Sequence, residues 1–141
     1  MDERFKYGKR YWYPHMKPAD IAIWERFCDK YPDFFDECQY DLAVGTGAAF
    51  DTNVSEETGG DAATLYRRKI DVVGWKDGQC SIVEVKPRGG PSALGQVTGY
   101  VHLYEQDFKP AASPKVILLT DELLPDMTML AAKFGVRLII V

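Results

Sequence analysis

A charged pair stands inside an otherwise apolar strand at residues 79–86, Gln-Cys-Ser-Ile-Val-Glu-Val-Lys. Strand side chains point alternately to opposite faces, so Glu84 and Lys86 share a face while Ile82, Val83 and Val85 keep the rest of the strand apolar. Lys76-Asp77-Gly78 precedes this strand, and Asp-Gly is a strong hairpin signal. Before that turn, the strand expected at 65–75 carries Asp71. The hairpin thus gathers two carboxylates and an amine at one edge. Two hard oxygen ligands suit Mg²⁺ or Mn²⁺, and an ammonium beside them can hold a water against a scissile phosphate.

The rest of the chain alternates between helix and strand periods. Pro18 opens a helix at the one position where its missing N–H does no harm, and Ile21, Trp24, Phe27, Cys28 and Tyr31 recur on one side until Pro32. Residues 39–44 read as a strand closed by Gly45-Thr46-Gly47, and 51–62 as an exposed loop. After Pro87-Arg88-Gly89-Gly90-Pro91, Ser92 is placed to cap a helix with Leu94, Val97, Val101 and Tyr104 at helical spacing. Val116-Ile117-Leu118-Leu119 reads as a buried strand, 125–134 as a short helix, and 136–141 as a last strand. The order predicts an α/β domain with a mixed central sheet flanked by helices. A crossover helix between the strands of Glu84 and Val116 makes that pair parallel.

This arrangement resembles the PD-(D/E)xK nuclease superfamily, whose restriction-endonuclease-like core runs αβββαβ, over residues 18–120. In that family the hairpin supplies an acidic residue and then (Asp/Glu)-x-Lys, and the next helix often contributes Gln-x-x-x-Tyr. Asp71, Glu84-Val85-Lys86 and Gln96-Val97-Thr98-Gly99-Tyr100 match those positions, and Glu25 is the first-helix match for a further family carboxylate. The proline of the family name is replaced by Ile70. Glu-x-Lys alone arises by chance roughly 0.6 times in such a chain, so context carries the weight. Asp107-Phe108-Lys109 fits the triplet too, but it sits at a helix end beside Pro110 with no hairpin before it.

The resemblance implies a small, phage- or resolvase-like, metal-dependent endonuclease or exonuclease that hydrolyses DNA phosphodiester bonds, structure-selective or weakly sequence-specific. It leaves DNA against RNA open. Asp71, Glu84 and the Val85 carbonyl would hold Mg²⁺ or Mn²⁺, and Lys86 would orient the attacking water. Gln96 and Tyr100 would reach Lys86 or a phosphate, and Glu25 would complete the metal shell or accept from Lys86. Arg67, Arg68, Lys69 and Arg88 are the expected nucleic-acid contacts, with a homodimer or larger nucleic-acid-processing complex supplying selectivity. The alternative is a non-catalytic nucleic-acid-binding or assembly module on the same fold.

Composition limits these readings. At 141 residues the chain makes one domain, 18–141, behind a basic aromatic arm, 1–17, in which Arg4, Lys6, Lys9, Arg10 and Lys17 interleave with Tyr7, Tyr11, Trp12 and Tyr13. That arm either stacks bases or straps its aromatics onto the core. The net charge of −4 argues mildly against phosphate binding, although the acidic residues concentrate in 25–61. Three cysteines without a Cys-x-x-Cys pair, only two histidines and no apolar leader point to a cytoplasmic protein with no zinc site and no membrane span, and the resemblance implies a bacterial or phage-infected host cell.

Overall fold

A computed structural model of the chain describes residues 3–47 and 67–141. Its six strands form one sheet in the order β1 (Phe5–Lys6), β2 (Glu37–Val44), β3 (Arg68–Lys76), β4 (Gln79–Val85), β5 (Lys115–Thr120) and β6 (Arg137–Ile140). The first four run antiparallel, and β4, β5 and β6 run parallel, as their helical crossovers require. Among the described residues three helices cover the sheet: α1 (Pro18–Lys30), α2 (Pro91–Phe108) and α3 (Met127–Lys133). The αβββαβ order and mixed sheet are those expected from the sequence. The expected loop at 51–62, and the start of the strand expected at 65, lie outside the described residues.

Two cores pack on opposite faces. α1 lays Ile23, Trp24, Phe27 and Cys28 on Tyr40, Val72, Val83, Val85 and Leu119. α2 and α3 lay Leu94, Val97, Val101, Tyr104, Met127 and Ala131 on Leu42, Val44, Ile70, Ile82 and Leu118. Each large side chain buried this way contributes ~1.5–3 kcal/mol, so the sheet is clamped from both sides.

Element ends differ from expectation by a few residues, for local reasons. α2 starts at Pro91 with Gly90 as N-cap and no side-chain cap, so Ser92 lies inside the first turn instead of capping it. α3 begins only after Asp126, which adopts φ +67°. β2 begins at Glu37 because β1 and β3 both pair there, at Lys6 and Trp75. β1 itself belongs to the N-terminal arm.

Strand alternation breaks at one level of the sheet. Cys38 and Tyr40 of β2 pack in the α1 core, whereas Leu42 and Val44 pack in the α2 core. In β3, Val72 and Ile70 are divided the same way. A strict period of two would keep each pair on one face. The register runs Tyr40↔Val72 and then Leu42↔Ile70, which sets Asp41 opposite Asp71 at the switch. Asp41 takes φ +53°, a left-handed conformation that resets the face. Both strands therefore turn over at a pair of aspartates.

Candidate active site

The β3–β4 ladder closes at Val72↔Val83, and beyond it the strands fork. Asp71 fills the fork: its Oδ2 accepts the Val85 N–H at 2.9 Å, replacing the backbone acceptor that a continued ladder would supply. Glu84, one residue past the last pair, stands close enough to Asp71 for a carboxyl–carboxyl hydrogen bond when one of the two carries a proton. Glu84 is only 8% exposed, and its Oε2 has no hydrogen-bond partner. β5 seals the other side, with Leu118 beside Glu84 and the Lys86 N–H donating to the Leu119 carbonyl at 2.9 Å.

Both carboxyls are held above the usual carboxylate range. Burial is the main cause for each; for Glu84 the Asp71 charge and the bond to Asp71 add to it, while Lys86 pulls the other way. Asp71 is restrained by the Val85 N–H and pushed up further by Asp20 and Asp41. Two such groups side by side ionise together only at raised pH unless a cation sits between them, so near neutral pH they share a proton or accept a cation.

Lys86 is exposed at the end of β4, and Glu84 feels its charge. Tyr100, half-buried on α2, has its hydroxyl pKa raised by burial and then by Glu84 and Asp71, with Arg68 opposing. Asp71, Glu84, Lys86, Tyr100 and Arg68 thus share one electrostatic neighbourhood. Val85 belongs to it through its backbone. Gln96 is exposed on α2 and makes no hydrogen bond to this group. Lys69 is exposed, across from Ala43.

Three expected site residues are engaged elsewhere. Glu25 accepts from the Tyr13 hydroxyl at 3.3 Å, and the α1 carboxylate felt by both Asp71 and Glu84 is Asp20, in the helix's first turn. Glu25 flanks the helical stripe centred on Trp24, but the carboxylate whose charge reaches the fork stands more than a turn earlier. Arg67 donates to the Gly45 carbonyl at 2.8 Å and the Ala43 carbonyl at 3.2 Å and pairs with Asp107 at 3.5 Å. It ties β2 to α2. Arg88 pairs with Glu122 at 3.4 Å, while its N–H donates to Asp121.

Two residues outside the motif join the site. Asp41 lies across from Asp71, and His15 of the arm places Nε2 3.5 Å from Asp41 Oδ2. The signal for Asp41 is present in Tyr-Asp-Leu-Ala-Val, a carboxylate inside an apolar strand, just as at Glu84. Among the described residues no three His, Cys, Asp or Glu side chains gather tightly enough to cage a metal. The side-chain oxygens at the fork that could hold a hard divalent ion are those of Asp71 and Glu84, with the Val85 backbone next to them.

The solved structure of a repair endonuclease from Pyrococcus abyssi superposes on this chain with a TM-score of 0.51, over 95% of this chain and 49% of that one. The fold is nuclease-like. At 17% identity the likeness reaches the fold alone, and this chain spans about half the length of that relative. No protein-family model and no curated protein matches the sequence. No helix among the described residues is long and apolar enough to cross a membrane.

Proposed function

We propose that the chain is a metal-dependent nuclease that hydrolyses DNA phosphodiester bonds at the β3–β4 fork. The observation that carries this reading is the pairing of half-buried Asp71 with buried Glu84, whose Oε2 is unpartnered and which feels the Lys86 charge. An unpaired buried oxygen costs about 1–3 kcal/mol, and a facing cation removes that cost. That the Pyrococcus neighbour is a repair endonuclease favours DNA as the substrate.

The residues divide the work by chemistry. Asp71 and Glu84, with the Val85 carbonyl, would hold Mg²⁺ or Mn²⁺; when bound, such an ion supplies a Lewis acid for a phosphate oxygen and makes water more acidic. Lys86 donates to the attacking water and offsets negative charge gathering on the phosphoryl oxygens. As the water oxygen bonds to phosphorus, the bond to the leaving ester oxygen breaks, and the water's proton leaves toward solvent while the leaving oxygen takes one up. Arg68 and Tyr100, on β3 and α2, steady a phosphate without reading sequence.

The test is cleavage by purified Asp71→Ala, Glu84→Ala and Lys86→Ala proteins with Mg²⁺ or Mn²⁺ on single-stranded, duplex and branched DNA. Each variant should lose activity by at least about a hundredfold while keeping the native circular dichroism spectrum, and Lys86→Ala should still bind the metal. Cleavage that survives all three changes belongs elsewhere. The second reading, a non-catalytic assembly module, is favoured by the net charge of −4 and by the pairing of Arg67 and Arg88 with carboxylates. It predicts no cleavage of any substrate by the wild-type chain.

A further inference from the structure

At the other end of the parallel strands lies a cavity of about 610 Å³, within the size range of small-molecule sites. The register builds it. Ser81 pairs with Lys115 across β4 and β5, and Ile117 pairs with Arg137 across β5 and β6. Val83, Ile117 and Ile139 all pack in the α1 core, so alternation turns Ser81, Lys115 and Arg137 to that same face. α1 ends at Lys30 and leaves this corner of the sheet to the Phe34–Phe35 segment that follows it. Phe35 lies so close over Gly74 that a Cβ there would collide with its ring, which holds the aromatic wall in place.

The charge in the cavity runs against that of the chain. Lys76 is already paired with Asp36 at 3.2 Å, but Lys115 and Arg137 form no ion pair among the described residues. The Arg137 guanidinium is instead braced by the Phe34 ring, 5.3 Å from its centroid. One carboxylate, Asp77, stands on the far rim at the β3–β4 turn. Two cations without an ion pair among the described residues, on adjacent strands, an aromatic wall and one carboxylate are thus collected in a concave site on a protein of net charge −4.

We propose that this cavity binds a nucleotide unit, with the phosphate between Lys115 and Arg137, the planar base against the Phe34–Phe35 wall, and a sugar hydroxyl toward Asp77. A simple anion would use only the two cations, and an apolar ligand only the wall; a nucleotide uses both and supplies a donor for the carboxylate. The unit is either a free mononucleotide or the terminal nucleotide of a strand. The site stands at the opposite end of β4 from Glu84 and does not depend on the carboxylate pair being catalytic.

Calorimetric titration of the full chain separates these contributions. Deoxyadenosine monophosphate should bind with Kd of ~1 mM or tighter, and deoxyadenosine and inorganic phosphate should each bind at least about tenfold more weakly. Lys115→Gln with Arg137→Gln, both at exposed positions, should weaken binding about tenfold or more at unchanged Tm, while Glu84→Gln leaves it unaltered. A 5′-phosphorylated oligonucleotide that competes better than the mononucleotide identifies a strand end; the reverse identifies a free nucleotide. The proposal is overturned if the monophosphate fails to bind, if phosphate alone binds equally well, or if the double variant binds as the native chain does.

Discussion

Glu84 Oε2 has two ways to escape its isolation, a proton or a cation, and they respond to pH in opposite senses. With the proton, the native state takes up more protons than the unfolded chain, because burial holds the Glu84 carboxyl above its ordinary range. The stability this confers is complete below the ordinary carboxylate pKa and is lost as pH rises toward the raised value. Metal-free protein should therefore lose Tm progressively between about pH 5 and 9, and Glu84→Gln should flatten the curve, since the amide cannot ionise. Added Mn²⁺ should raise the wild-type Tm most at the alkaline end, where the pair is ionised, and leave Glu84→Gln nearly unmoved. A wild-type curve that rises with pH in chelator would contradict a proton held by Glu84. Arg67 makes the contrasting case at this scale: its carbonyl bonds and the Asp107 contact are structural. Arg67→Ala should cost about 1–2 kcal/mol in urea unfolding and leave DNA affinity per folded molecule unchanged. Glu84 and Lys86 are legible in the sequence because charge in an apolar strand is conspicuous. The ties of Arg67 and Glu25 are not, since each rests on a partner 12 or more positions away that no local pattern announces.

Among the elements, β2 and β3 decide where the site can be. A strand that turns over in mid-run delivers side chains to both cores, and the crossing sets Asp41 across from Asp71 beside Glu84. The left-handed backbone of Asp41 is tolerable for Asp and costs nothing for Gly, but a β-branched residue resists it. Asp41→Val should therefore be less stable than Asp41→Gly by about 1–3 kcal/mol, measured as the difference in urea midpoints. Both variants lose the His15 contact, so their difference isolates the backbone. Equal midpoints would mean that the strands regain regular alternation. Sequence periodicity reveals each strand here but not the turnover, because Tyr40, Leu42 and Val44 are all apolar and look alike on either face. The start of α2 is obscured for a similar reason: Ser92 is a good cap by type, yet Pro91 is also a good first helical residue and lies one position earlier.

At the scale of the molecule, the N-terminal arm is both a strap and a rim. Phe5 and Lys6 extend the sheet as β1, Tyr7 and Tyr13 are buried, and the Tyr7 hydroxyl donates to the Tyr31 carbonyl at 2.6 Å. Tyr11 and Trp12 are instead left in solvent, and His15 reaches Asp41 beside the fork. Composition alone could not divide these aromatics, because Tyr and Trp are equally apt to pack and to stack. The division can be measured. Removing residues 1–17 strips two buried tyrosines and an edge strand, so the truncated chain should unfold or lose several kcal/mol, about 1.5–3 for each large buried side chain. That result alone says nothing of substrate. Tyr11→Ala with Trp12→Ala touches only exposed rings and should leave Tm within about a degree or two of the native chain. If the rim contacts bases, the double variant should weaken DNA binding in Ca²⁺ by about 1–3 kcal/mol per stacked base, with the salt dependence unchanged because no phosphate contact is lost. Unchanged affinity at low salt would assign the arm to the strap alone, and the fork would then have to hold its substrate through Arg68, Lys69 and Lys86.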